Sequence, residues 1–243
     1  MAAVKPLLAT EGLGRHFGGL KAVDGVDFSL NEGEIRAIIG PNGAGKTTFV
    51  SLVCGRVAAG FGRIVFGDQD ITNRPPHQRT RDGIAYTFQI TSVYLNLSAY
   101  DNVALAAQRQ AGSASTLESE VMAALTAVGL ADRSEELARN LSYGHQRLLE
   151  IAMGLALKPR LLILDEPTQG LSDAEITGFM ALVRQIAANA TVLLIEHNMH
   201  VVMELAERIT VMNAGRILAE GTPDEIRANA AVQAAYLGTG TDG

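Results

Sequence analysis

Gly40-Pro41-Asn42-Gly43-Ala44-Gly45-Lys46-Thr47-Thr48 decides how this chain is read. Gly40, Gly45, Lys46 and Thr47 satisfy the phosphate-binding pattern G-x-x-x-x-G-K-[ST]. Before it, Ile35 to Ile39 reads as a short, mostly apolar buried strand. After it, Thr48 to Cys54 reads as a helix. Strand, glycine loop and helix are the context this pattern requires. The glycines let backbone N–H groups turn inward around phosphate oxygens, and the helix N-terminus adds its positive dipole end. Lys46 can reach the β- and γ-phosphates of a nucleotide, and the Thr47 hydroxyl can bind Mg²⁺.

The second strong stretch is Leu161-Leu162-Ile163-Leu164-Asp165-Glu166. An apolar run ending in two carboxylates reads as a buried parallel strand. Ligands of open α/β sheets sit at the C-terminal ends of such strands. There Asp165 would hold Mg²⁺, and Glu166 would orient and polarise the attacking water. Thr191 to Glu196 is a further buried strand, and it ends at His197. A lone histidine is usually a surface or satisfied core residue, but at this position it could touch the γ-phosphate. Ile84 to Phe88 is a strand ending at Gln89, a residue that can ligate Mg²⁺ or position water, or simply belong to a loop.

The remaining chain supplies the setting. Leu7 to Leu13 and Val26 to Leu30 read as strands, with Phe17-Gly18-Gly19 as a turn. Phe17 can stack on a purine, although composition alone favours a core or turn role. Gly60 to Gly67 is another strand between glycine turns, and the polar stretch around Pro75 and Pro76 breaks regular structure. Helical runs cover Ala99 to Gln108, Leu117 to Val128 and Gln146 to Leu157, and Met122 and Met153 are read as core. Ser142 is the N-cap of the last of these, where anion capture is a possible added role. Asp173 to Ala188 is amphipathic, Met199 to Glu207 is helical, and Ile209 to Met212 with Arg216 to Ala219 forms a hairpin. Pro223 opens a short helix, Ala230 to Leu237 is the last one, and residues 239–243 are expected to fray.

Composition bounds the function. The chain has 243 residues, 47% of them hydrophobic, which fits one domain with a subdomain and a sizeable core. A net charge of −6 argues against a nucleic-acid binder that works through a general basic surface. The single cysteine, Cys54, excludes an intramolecular disulfide and reads as a packed helix residue. The histidines show no zinc-ligand spacing. No apolar run reaches the length of about 18 residues that spans a bilayer, and the N-terminus lacks a signal peptide's apolar core. A cytosolic chain is expected, held at any membrane by something else.

Together these motifs resemble the ATP-binding subunit of ABC transporters over residues 5–238. Gly40 to Thr47 matches the Walker A motif, Leu161 to Asp165 matches Walker B, and Glu166 is the catalytic glutamate. Gln89 matches the Q-loop and His197 the switch histidine. Gly170-Leu171-Ser172-Asp173 stands at the D-loop. Phe17 matches the adenine-stacking aromatic, which reverses the preference that composition gave it. The resemblance implies an α/β fold, a P-loop NTPase (RecA-like) core with an antiparallel β subdomain and a helical subdomain over about 90–157. It also implies ATP and Mg²⁺ as ligands. Pro41, Asn42, Gly43, Ala44 and Thr48 belong to the nucleotide-binding set, and Thr47, Gln89 and Asp165 to the metal set.

One motif departs from the family pattern. Leu141-Ser142-Tyr143-Gly144-His145 replaces the usual L-S-G-G-Q. Ser142 and Gly144, the positions expected to meet phosphate, survive. Tyr143 resembles the ATPases of branched-chain amino-acid importers and their amide and urea relatives. Phe17 to Val23 and Thr87-Phe88-Gln89 agree with that resemblance, as does Tyr236-Leu237-Gly238, although lipopolysaccharide-exporter ATPases end similarly. The family implies a head-to-tail pair of ATPase subunits, permease subunits that receive the closure through about Ile90 to Asn102, and a solute-binding protein. An exporter ATPase is the alternative. A soluble ATPase of translation or DNA repair fits less well, since the chain has one cassette and no sustained heptads.

Overall fold

The structure, a computed structural model, describes residues 5–87, 92–108 and 113–237. Two sheets organise it. The larger has the order β10-β9-β3-β8-β7-β6. Its strands are β3 (Ile35–Ile39), β6 (Ile84–Thr87), β7 (Leu161–Asp165), β8 (Thr191–Ile195), β9 (Arg208–Asn213) and β10 (Arg216–Gly221). All neighbouring pairs are parallel except the edge pair β9–β10. The smaller sheet is antiparallel in the order β2-β1-β4-β5, from β1 (Leu8–Phe17), β2 (Leu20–Leu30), β4 (Phe61–Phe66) and β5 (Gln69–Asp70). The helices are α1 (Lys46–Val53), α2 (Pro76–Arg81), α3 (Ala99–Ala107), α4 (Ala114–Ala127), α5 (Tyr143–Ala156), α6 (Asp173–Ala187), α7 (Met199–Leu205), α8 (Pro223–Ala228) and α9 (Ala230–Leu237).

The central strands β3, β7 and β8 are buried at every residue. That is why they read as unbroken apolar runs: helices or a second sheet cover both faces. The period of two sorts their side chains. Leu161, Ile163, Leu193 and Ile195 face a core shared with α1 and the antiparallel sheet. Leu162, Leu164, Val192 and Leu194 face a core built with α3 to α6. Met122 and Met153 pack partly buried against that second core, as expected.

Two differences from the sequence reading have simple causes. The strands β1 and β2 run to Phe17 and from Leu20, so the turn between them is tighter than composition suggests. The stretch at Pro75-Pro76 opens a helix, α2, instead of breaking regular structure. Pro76 occupies the first helical turn, where a missing N–H costs nothing and the fixed φ favours a helix. The helix then delivers Arg79, 2% exposed, onto the end of α1. Its guanidinium donates to the carbonyls of Leu52 (2.6 Å), Val53 (2.7 Å), Thr72 (2.9 Å) and Arg74 (2.8 Å). The carbonyls of Leu52 and Val53 end α1, and a cation there is favoured by up to about 2 kcal/mol.

Candidate active site

Parallel pairing brings the C-terminal ends of β3, β8 and β7 side by side. Ile38 and Asp165 both register with Ile195. The loop after β3, the two acids ending β7 and the histidine after β8 therefore lie along one edge of the sheet. This is the crevice where open α/β sheets bind ligands.

The phosphate loop is held by its neighbours. Gly40, Gly43 and Gly45 have φ of 151°, 77° and 102°, values that a Cβ disfavours. A Cβ on Gly40 would stand 2.2 Å from the Met212 carbonyl oxygen, and one on Gly45 would stand 2.3 Å from that of Ala22. At Gly43 a Cβ would meet nothing within 4 Å, so that side of the loop is open. The Gly215 N–H donates to the Ala44 carbonyl at 3.0 Å, tying the β9–β10 turn to the loop. Pro41 and Asn42 form the outer rim, and Ala44 is buried beneath it. Lys46, Thr47 and Thr48 make the first turn of α1, with Thr47 exposed.

The Lys46 ammonium spans the mouth of the loop, donating to the carbonyls of Gly40 (2.6 Å) and Pro41 (3.1 Å). Burial lowers its pKa, while Glu166 and Asp165 are near enough to push it back up. A cation held over an open glycine cradle, with two carboxylates close by, fits a Mg²⁺–nucleotide ligand. Asp165 is 2% exposed. Burial raises its pKa, and a hydrogen bond donated by the Tyr86 hydroxyl opposes that shift.

Glu166 has φ 47°, a conformation that non-glycine residues seldom adopt. Its N–H donates to the Ile195 carbonyl at 2.8 Å, continuing the β7–β8 ladder one residue past Asp165. Such departures concentrate at functional sites. Here the carboxylate stands 3.9 Å from His197 Nδ1. His197 is exposed, with 62% of its side chain accessible, and is available to a ligand.

The residue that binds these pieces together was missed by the sequence reading. Glu196 is 1% exposed and accepts from four donors. Its Oε1 takes the Thr168 N–H (3.0 Å) and hydroxyl, and its Oε2 takes the N–H groups of His197 (2.9 Å) and Asn198 (3.0 Å). The carboxylate thus ties the turn after Glu166 to the His197 loop. An acid ending an otherwise apolar strand was the available signal.

The other expected residues lie around this core. Phe17 is exposed at the β1–β2 turn, with the Arg15 guanidinium 5.0 Å from its ring centroid. Ser142 caps α5, accepting from the His145 N–H at 3.2 Å. Gly144 is packed against α6, where a Cβ would fall 2.2 Å from Glu175 Oε1. Gln89, expected at the end of β6, and Phe88 lie outside the described residues. Cys54 is buried, and burial pushes its thiol up to about 12, in line with a packing role. Among the described residues no cluster of His, Cys, Asp and Glu could hold a metal by itself, and no helix is long and apolar enough to cross a membrane.

A mostly parallel sheet with a phosphate loop after β3 and paired acids at the end of β7 defines a phosphate-loop nucleotide hydrolase. The finer identity follows from comparison. A family model described as "ABC transporter" matches residues 23–169, and one described as "Branched-chain amino acid ATP-binding cassette transporter" matches residues 216–242. The chain belongs to the ABC transporter ATP-binding family and is an ATPase of that family. It is 39% identical to the high-affinity branched-chain amino acid transport ATP-binding protein BraF of Pseudomonas aeruginosa, over 96% of this chain and 98% of BraF. Identity to LivG of Escherichia coli K12, which carries the same description, is also 39% with the same coverage. The lipopolysaccharide export ATP-binding protein LptB of Escherichia coli K12 is 33% identical over 95% of this chain and 97% of its own. Among solved structures, the ADP conformation of MJ1267, an ATP-binding cassette of an ABC transporter, superposes with a TM-score of 0.86. It is 30% identical and is matched over 96% of this chain and 99% of its own.

Proposed function

We propose that this chain is the ATP-hydrolysing subunit of an importer of branched-chain amino acids or related amides, bound peripherally at the cytoplasmic face of the cell membrane. The observation that carries this reading is the 39% identity to both BraF and LivG over 96% of the chain, supported by the branched-chain match at residues 216–242. The lower identity to LptB keeps the exporter reading second.

Residues 5–238 then act as one ATPase domain, with its helical part over about 90–157. Phe17 stacks on adenine. Gly40 to Thr48 cradle the phosphates, and Lys46 neutralises the β- and γ-oxygens. Thr47, Gln89 and Asp165 would hold Mg²⁺, whose chemistry there is neutralisation of phosphate charge. Glu166 polarises the attacking water, which adds to the γ-phosphorus as the bond to ADP breaks, and His197 contacts the γ-phosphate. Ser142 and Gly144 face the nucleotide of a second ATPase subunit, identical or related, so that ATP closes the pair and hydrolysis releases it.

Closure reaches permease subunits through the segment after β6. Tyr94 and Leu95, 60% and 48% exposed, give that segment an apolar face. The fully buried Asn102 holds it in place. Its Oδ1 accepts from the Tyr94 N–H (2.7 Å), and its amide donates to the carbonyls of Tyr94 (3.1 Å) and Ser98 (2.9 Å).

Purification of the tagged chain from its native membranes, followed by mass spectrometry, tests the assignment. Permease subunits with a solute-binding protein are expected. Co-purification of lipid-export components, or of ribosomal or repair proteins without any membrane protein, would overturn it.

A further inference from the structure

Tyr143, which with His145 departs from the family signature, does not point into empty space. Its ring lies against Gly170, the φ 80° glycine of the turn that follows Glu166. A Cβ on Gly170 would stand 2.9 Å from Tyr143 Cε1, closer than carbon atoms approach. The Arg147 guanidinium lies 5.5 Å from the ring centroid, on the same helix. The ring is therefore held between its own helix and the turn, although it remains 45% exposed.

A second contact runs parallel to the first. Gly144 abuts Glu175, whose Oε2 accepts from the Ser172 N–H (2.8 Å) and hydroxyl (2.7 Å). The turn itself is closed by Gln169 N–H to the Glu166 carbonyl (3.2 Å) and Leu171 N–H to the Thr168 carbonyl (3.1 Å). Thr168 is bound in turn to Glu196, beside His197. Packed and hydrogen-bonded groups thus run without a break from the N-terminus of α5 to Glu166 and His197.

We propose that Tyr143 is a positioning residue that clasps the start of α5 to the turn at Gly170. The start of α5, which carries Ser142 and Gly144, is then held against the turn that follows Glu166 of the same subunit. The half-site offered to the second subunit's nucleotide is thereby coupled to this subunit's own hydrolytic group. This inference rests on the reading that Ser142 and Gly144 face a second subunit's ATP. A half-exposed ring adds little to folding stability, so its contribution appears in turnover.

The test is a set of variants of the full chain, each measured for kcat, for affinity toward a fluorescent ATP analogue and for thermal midpoint. Tyr143→Phe keeps the ring and should stay within about twofold of wild type, whereas Tyr143→Ala should lower kcat about tenfold, the scale of coupling losses. Analogue affinity and thermal midpoint should not move. Gly170→Ala drives a methyl group into the ring and should also slow turnover. Its penalty should shrink in the Tyr143→Ala background, because the ring it strikes is gone, while the part owed to alanine at φ 80° remains. Wild-type kcat in Tyr143→Ala, or an equal Gly170→Ala penalty in both backgrounds, would overturn the clasp. Ser142→Arg separates the underlying reading. It should abolish turnover, and an unchanged kcat there would remove the second-subunit role and the clasp with it.

Discussion

The Tyr86 hydroxyl donates to Asp165 Oδ2 at 2.7 Å, joining β6 to the acid that ends β7. Asp165 is buried, so the bond fixes the plane of a carboxylate that water does not solvate. The Arg56 guanidinium lies over the same ring, 5.3 Å from its centroid.

Removing that hydroxyl should leave the fold intact and disturb the metal set. Tyr86→Phe is expected to raise the Mg²⁺ concentration for half-maximal ATPase activity several-fold, with a stability loss of about 1–2 kcal/mol. Magnesium titration of the two proteins at saturating ATP checks this, and superimposable curves would show that the bond does not orient Asp165.

Glu196 should matter for both stability and turnover. Glu196→Gln turns one oxygen into a donor, so at least one of the backbone N–H groups it now satisfies loses its acceptor. A loss of about 2 kcal/mol or more in urea unfolding is expected. Turnover should fall with it, because the His197 loop and the turn after Glu166 lose their common anchor. A wild-type urea midpoint would contradict this role.

Asp24 ties the two sheets together near the phosphate loop. It accepts from Arg216 Nη2 (2.7 Å) and Nε (3.2 Å) and contacts His16 Nε2 at 2.9 Å. Arg216 first and His16 second hold its carboxyl at about 2, below the usual 3.8. A depressed folded-state pKa stabilises the fold above the unfolded value and loses that contribution as pH falls through the folded one. The stability advantage of wild type over Asp24→Asn should therefore be full at neutral pH and shrink between about pH 4 and 2. Thermal midpoints of both proteins across that range check it, and a constant difference would contradict the linkage.

Much of the site was legible because its parts are contiguous in sequence. The residues Gly40 to Thr48 form one loop and the first turn of α1, and the apolar runs before Asp165 and His197 mark strands whose parallel pairing aligns their ends. What stayed hidden depends on partners far along the chain. Arg79 reads as one charge in a polar stretch until α2 carries it to carbonyls 26 and 27 residues away. Glu196 meets Thr168 across 28 residues. Tyr143 could be read as a departure from the usual signature, but the glycine it rests on could not. The proline pair misled because Pro76 starts a helix as readily as it interrupts one.

The most direct test of the account is the ATP turnover of Glu166→Gln, measured beside its ATP affinity. The account predicts near-wild-type ATP binding with turnover slowed by about 100-fold or more, as expected when the group that polarises the attacking water is lost. Wild-type turnover in a variant that binds ATP normally would contradict it.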